Sequence, residues 1–158
     1  MSSDDETVAD PAGVTGGCLC GALRYETTAP PRQVLFCHCR LCRRATGQPI
    51  VAGAYFQLEE VRFVSGEPRR HRSSAYAERG FCADCGTPLF YHSVMPELKD
   101  WICLMLGTLD RPERYPPTAH YNIETALPYA LPDDGLPRHR QADSRYHWVR
   151  DSIAEQGD

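Results

Sequence analysis

The sequence predicts one small all-β domain with few or very short helices, and three observations lead there. Between residues 15 and 140 the apolar residues fall in short, strand-length runs separated by Gly and Pro, with no helix-length amphipathic stretch among them. Thirteen prolines, including Pro30-Pro31, Pro116-Pro117, Pro128, Pro132 and Pro137, deny most of the chain a long helix. Seven of the eight cysteines fall in three tight clusters, which is how a chain of 158 residues with a single core is cross-linked.

The elements follow in order. Residues 1–14 read as a disordered acidic tail, because Asp4, Asp5, Glu6 and Asp10 with Pro11 and Gly13 are too polar to offset the entropy of ordering. Strands are predicted over 22–27, 34–36, 50–56, 61–64, 74–78, 89–92 and 101–106. One short helix is expected to begin near Arg40 and to stop at Gly47. The folded domain is expected to span residues 15–142, and residues 143–158, with Tyr146 and Trp148, read as a docked or flexible segment.

Composition narrows the function. Hydrophobic residues at 42% and charged residues at 24% are those of a globular chain. No apolar run reaches the roughly 18 residues that a membrane helix needs, and the acidic start lacks the pattern of an export signal. The expected setting is therefore cytoplasmic, without a membrane partner. A net charge of -4, with no basic tail, offers no field for phosphates and weighs against nucleic acid.

A reducing setting makes metal ligation a better use of clustered thiols than disulfides. The clusters are Cys18-Leu-Cys20, Cys37-His-Cys39-Arg-Leu-Cys42 and Cys82-Ala-Asp-Cys85. A structural zinc takes four ligands in a closed tetrahedron, whereas a catalytic zinc keeps three and an open fourth position. Seven thiols divide accordingly. Cys18, Cys20, Cys82 and Cys85 would make a four-thiolate staple, and Cys37, Cys39 and Cys42 a three-thiolate site able to receive a small thiol. Pairing residues 39 and 42 with 82 and 85 as a zinc ribbon is the competing arrangement, but it strands three clustered cysteines. Cys103, in the apolar run of residues 101–106, reads as a buried small hydrophobe.

Other candidates are less specific. Arg40, Arg43 and Arg44 surround the three-thiol turn and suit either a carboxylate clamp or a plain solvent-facing role. His38 lies inside the cluster, but alternation turns it away from the thiols, which favours a non-ligand role. His120 and Glu124 have the chemistry for proton transfer, although a structural histidine is the simpler reading.

These residues also resemble a known family. Gly17-Cys18-Leu-Cys20-Gly21, Cys37-His-Cys39-Arg-Leu-Cys42-Arg-Arg-Ala-Thr-Gly47, Arg79-Gly-Phe-Cys82-Ala-Asp-Cys85-Gly-Thr87, Leu106-Gly-Thr-Leu-Asp110, Pro117-Thr-Ala-His120 and Asp134-Gly-Leu-Pro137 are similar to the glutathione-dependent formaldehyde-activating enzymes, a family that includes centromere protein V. The resemblance implies a β-tent fold carrying two Zn2+, a structural one at Cys18, Cys20, Cys82 and Cys85 and a catalytic one at Cys37, Cys39 and Cys42. It also implies a carbon-sulfur lyase that joins glutathione to formaldehyde as S-(hydroxymethyl)glutathione. The chain departs from its relatives at Pro128-Tyr129, where they often carry Pro-Trp, and at Cys103, which is outside the usual set. The expected partners are thus glutathione or another small thiol and an electrophilic carbon. The rival function is a non-catalytic, zinc-stapled binding module for a protein or nucleic acid.

Overall fold

The computed structural model describes residues 13–141, so both terminal segments of the sequence reading lie outside the described residues, apart from the positions adjoining them. Val14, at the end of the expected tail, is buried, and its N–H donates to Thr27 Oγ1 at 2.9 Å. No helix among the described residues is long and apolar enough to cross a membrane.

The fold is all-β, as the sequence predicts, with one short helix. Strands β1 (Thr15–Gly17), β2 (Arg24–Thr27) and β5 (Val61–Ser65) form an antiparallel sheet in the order β1-β2-β5. The remaining strands are β3 (Gln33–Cys37), β4 (Val51–Gln57), β6 (Arg69–Arg72), β7 (Ala77–Phe81), β8 (Pro88–Ser93), β9 (Trp101–Met105), β10 (His120–Tyr121) and β11 (Arg138–His139). They make an eight-stranded sheet in the order β11-β10-β3-β4-β9-β8-β7-β6. Its pairings are antiparallel except at β3-β10 and β10-β11. The parallel join matters because it lays Tyr121 opposite Cys37, at the mouth of the central cysteine cluster.

One strand prediction needs correction, and four strands, β1, β6, β10 and β11, are not among those predicted. The run 74–78 is not one strand: residues 73–76 are a turn between β6 and β7. Arg72 fastens that turn by donating from Nε to the carbonyl of Ser74 and from Nη2 to that of Ala75, both at 3.0 Å. Strand β6 reads Arg-Arg-His-Arg and is exposed throughout, so no apolar alternation announces it. It exists through its ladder with β7.

The larger core gathers Tyr25, Phe56, Leu89, Phe90 and Leu104 together with Cys18 and Cys82. A smaller one joins Leu35, Leu98, Trp101, Ala119 and Tyr121, with Cys37 packed against it. Each packed region therefore abuts one set of clustered thiols. Cys103 is buried on β9, where its Sγ would lie 2.3 Å from a Cβ placed on Gly53. It packs as the small hydrophobe the sequence suggests.

Candidate metal centres

All eight cysteines are free. Seven of them meet in two groups, Cys18 with Cys20, Cys82 and Cys85, and Cys37 with Cys39 and Cys42, and within each group the sulfurs lie within 4.8 Å of one another. This is the four-plus-three division read from the spacing; the zinc-ribbon pairing of residues 39 and 42 with 82 and 85 does not form. Four sulfurs at Zn–S bond length on a tetrahedron stand about 3.8 Å apart. Cys18 Sγ to Cys20 Sγ is 3.5 Å and Cys20 Sγ to Cys82 Sγ is 3.8 Å, so the donor set fits a zinc ion in both identity and separation.

The four-thiol group is made by two turns that clasp each other. Gly21, at φ 80°, lets the chain double back after Cys20, so that Gly21 N–H reaches the Cys18 carbonyl at 3.2 Å. In the second turn Gly86 N–H reaches the Cys82 carbonyl at 2.8 Å. Thr87 joins them, accepting from Leu19 N–H at 3.1 Å while its hydroxyl lies 3.1 Å from Cys85 Sγ. That hydroxyl leads the effects that pull the Cys85 thiol down to about 5. Leu23 N–H donates to Cys18 Sγ at 3.2 Å and helps lower that thiol against its burial.

The three-thiol group sits at the entry to helix α1 (Arg40–Thr46), whose bounds match the expected helix. Cys39 is its N-cap, with Sγ accepting from Cys42 N–H at 3.3 Å, and Gly47 closes it at φ 72° with its N–H on the Arg43 carbonyl. The helix has no buried residue. Seven residues without an apolar anchor are marginal as a helix, so the thiol turn is what fixes α1. Two further donors reach the sulfurs from distant parts of the chain: Asn122 Nδ2 to Cys37 Sγ at 3.4 Å and Arg79 Nη2 to Cys42 Sγ at 3.6 Å. Hydrogen bonds from Cys37 and then Cys42 pull the Cys39 thiol far below its ordinary range, while those with Cys39 and then Cys42 hold Cys37 well above it. For all three sulfurs to ionise together they need positive charge beside them, of which the guanidinium of Arg79 supplies one.

At about 100° per residue, α1 turns Arg40, Arg43 and Arg44 to one face and Cys42 to the opposite one. The arginine face lines an open groove of about 440 Å3 with Gln48, Leu127 and Tyr129. Among the described residues no carboxylate lines the groove. Ion pairs among the described residues engage Arg24, Arg32, Arg62, Arg70 and Arg111 and none of these three, and Arg43 Nε is buried without a partner. On the other side of the helix Thr46 and Arg79 line a smaller cavity of about 130 Å3 with Phe81, Phe90 and Met105.

His38 lies outside the sulfur group, buried and turned into the protein, as alternation predicts. His120 is fully buried too, and the two rings are hydrogen-bonded at 2.8 Å. Glu124 accepts from Gln141 N–H. Nothing in the sequence singles out Arg79 or Asn122. Arg79 stood only inside a motif, and a contact made by Asn122 across 85 positions leaves no local signal.

Comparison with known proteins agrees with this geometry. Over 76 residues the chain is 33% identical to an uncharacterized lyase of Schizosaccharomyces pombe (strain 972), a match covering 48% of this chain and 55% of that protein. The chain thus spans about half the length of that relative. A crystal structure of a Rhodobacter sphaeroides protein shares the fold at a TM-score of 0.52 and 20% identity, over 79% of this chain and 98% of the other. Residues 13–125 match the profile of the glutathione-dependent formaldehyde-activating enzymes, and those residues hold both thiol sets; the chain belongs to that family.

Proposed function

We propose that this chain is a zinc-dependent carbon-sulfur lyase that joins a small thiol, of which glutathione is the model, to a one-carbon electrophile such as formaldehyde. The observation that carries the reading is the inequality of the two thiol sets: one gathers four sulfurs and the other three, with no fourth Cys, His, Asp or Glu ligand beside them among the described residues. Cys18, Cys20, Cys82 and Cys85 would hold a structural zinc, and Cys37, Cys39 and Cys42 a second one. When bound there, zinc supplies a position at which a thiol sheds its proton at neutral pH and keeps its nucleophilicity.

The chain's own residues do the rest. Arg79 and Asn122 spread the negative charge of the three sulfurs by donating to two of them. Arg40, Arg43 and Arg44 offer carboxylates a cationic groove that no acidic residue among the described ones pairs, on a chain whose net charge is -4. Because the groove lies across the helix from Cys42, its ligand must reach around α1. In the reaction the thiol sulfur bonds to the carbonyl carbon, the C=O π pair moves to oxygen, and that oxygen receives the thiol proton, leaving a hydroxymethyl thioether. Reversal breaks the same carbon-sulfur bond.

Eight free thiols suit a reducing, cytoplasmic setting. We take residues 15–142 as the functional domain. The test follows exchange between free and glutathione-bound formaldehyde with the metal-loaded protein. Acceleration beyond the unaided exchange supports the reading, and none, with both metals present, rejects formaldehyde as the substrate.

A further inference from the structure

His38 stands between two thiols of the three-thiol set, yet its ring is part of a buried chain that runs to the protein surface. His38 Nε2 lies 2.8 Å from His120 Nδ1, and His120 Nε2 lies 2.9 Å from Asp134 Oδ2. Both rings are 0% exposed. A carboxylate only accepts, so His120 donates from Nε2 to Asp134; when that ring is neutral its Nδ1 accepts from His38 Nε2. Two aligned donors ending on a charge polarise each other. The other nitrogen of His38, Nδ1, has no hydrogen-bond partner among the described residues, so the chain terminates at the ligand turn.

The same neighbourhood grips the turn at three more points. His38 N–H donates to the Tyr121 carbonyl at 3.0 Å, Thr125 Oγ1 donates to the His38 carbonyl at 3.1 Å, and Asn122 Nδ2 donates to Cys37 Sγ. Asn122 makes its contact from the left-handed region at φ 57°, the one non-glycine residue there among those described. Residues 120–125 thus hold Cys37 and His38 by backbone, ring and thiol together.

We infer that His120, Asn122 and Asp134 are positioning residues of the three-thiol metal site, a cradle that sets the Cys37-His38-Cys39 turn in the geometry where its sulfurs meet. The inference rests on the reading that these thiols hold a metal. A buried histidine pair is a costly way to fill a core, since apolar rings of similar size need no partners. Anchoring a ligand turn gives the pair a purpose, and loss of such outer contacts typically costs a metal site 10- to 100-fold in affinity.

The experiment uses the full chain loaded with zinc. Asp134→Ala cuts the chain of hydrogen bonds at an exposed residue, and His120→Phe keeps a ring against Phe36, on which His120 stacks at 5.0 Å, while removing both hydrogen bonds. Each should speed chelator-driven loss of one zinc equivalent by about 10- to 100-fold and leave the other equivalent in place. With Co(II) in place of zinc and no thiol added, both variants should shift the sulfur-to-cobalt absorption. Phe56→Leu, in the other core, is the stability control and should alter neither readout. Unchanged metal release and an unchanged cobalt spectrum in Asp134→Ala overturn the inference, as does equal acceleration by Phe56→Leu. A wild-type chain that takes up only one equivalent overturns the metal reading beneath it instead.

Discussion

Removing the side chain of Arg43 should weaken glutathione binding far more than the same change at Arg40 or Arg44. All three line the groove beside α1, but Arg43 is half-buried with its Nε unpartnered among the described residues, whereas Arg40 and Arg44 are exposed. A hydrogen bond to a charged group is worth about 1.5 to 3 kcal/mol when water is largely excluded. An exposed ion pair returns at most about 1 kcal/mol. At 1.36 kcal/mol per decade, Arg43→Ala should raise the glutathione Kd by about 10- to 150-fold, and Arg40→Ala or Arg44→Ala by about 5-fold or less. Titration calorimetry on the zinc-loaded protein measures this directly, with metal content checked in each variant. Ethanethiol, which has no carboxylate, should bind all four proteins alike, and the glutathione difference should shrink as salt rises. Equal losses at the three positions, or a loss for ethanethiol matching that for glutathione, would refute the groove as the carboxylate site.

Mild chelation should remove one zinc equivalent from the three-thiol set with the fold retained, measured by metal release alongside circular dichroism; simultaneous loss of two equivalents with unfolding would contradict the division of ligands. Cys82→Ser, at a residue 1% exposed in the main core, should damage folding or solubility, because a structural ligand's binding energy is folding energy, whereas Cys39→Ser should give a folded protein with less metal. Adding glutathione to the Co(II) form should change its sulfur-to-metal charge-transfer spectrum, since a fourth sulfur enters the shell, and an unaltered spectrum would mean that the site is closed to thiols. Gly53→Ala forces a Cβ against Cys103 Sγ and should cost about 1 to 3 kcal/mol by chemical denaturation, and Cys103→Ala in the same chain should relieve much of it. An undiminished cost in the double variant would show that the sulfur is not what crowds the position.

The all-β class, the one short helix and the grouping of the thiols were legible because each rests on local chemistry. Proline breaks the interior of a helix, Gly47 can stop one, and a Cys-x-x-Cys turn brings its sulfurs together whatever surrounds it. Strand β6 was not legible, because Arg69, Arg70, His71 and Arg72 have no buried face, and pairing alone makes them a strand. The surroundings of the thiols were decided by tertiary structure for the same reason. Arg79 and Cys42 are 37 positions apart, and His38 and His120 are 82 apart. Those contacts follow from strand order in the large sheet, in particular from β10 lying parallel to β3. Sequence by itself determined which atoms can bind a metal, since that is a property of the side chains; which donors steady those atoms, and which face of α1 looks onto the groove, depended on where folding brought distant segments into contact.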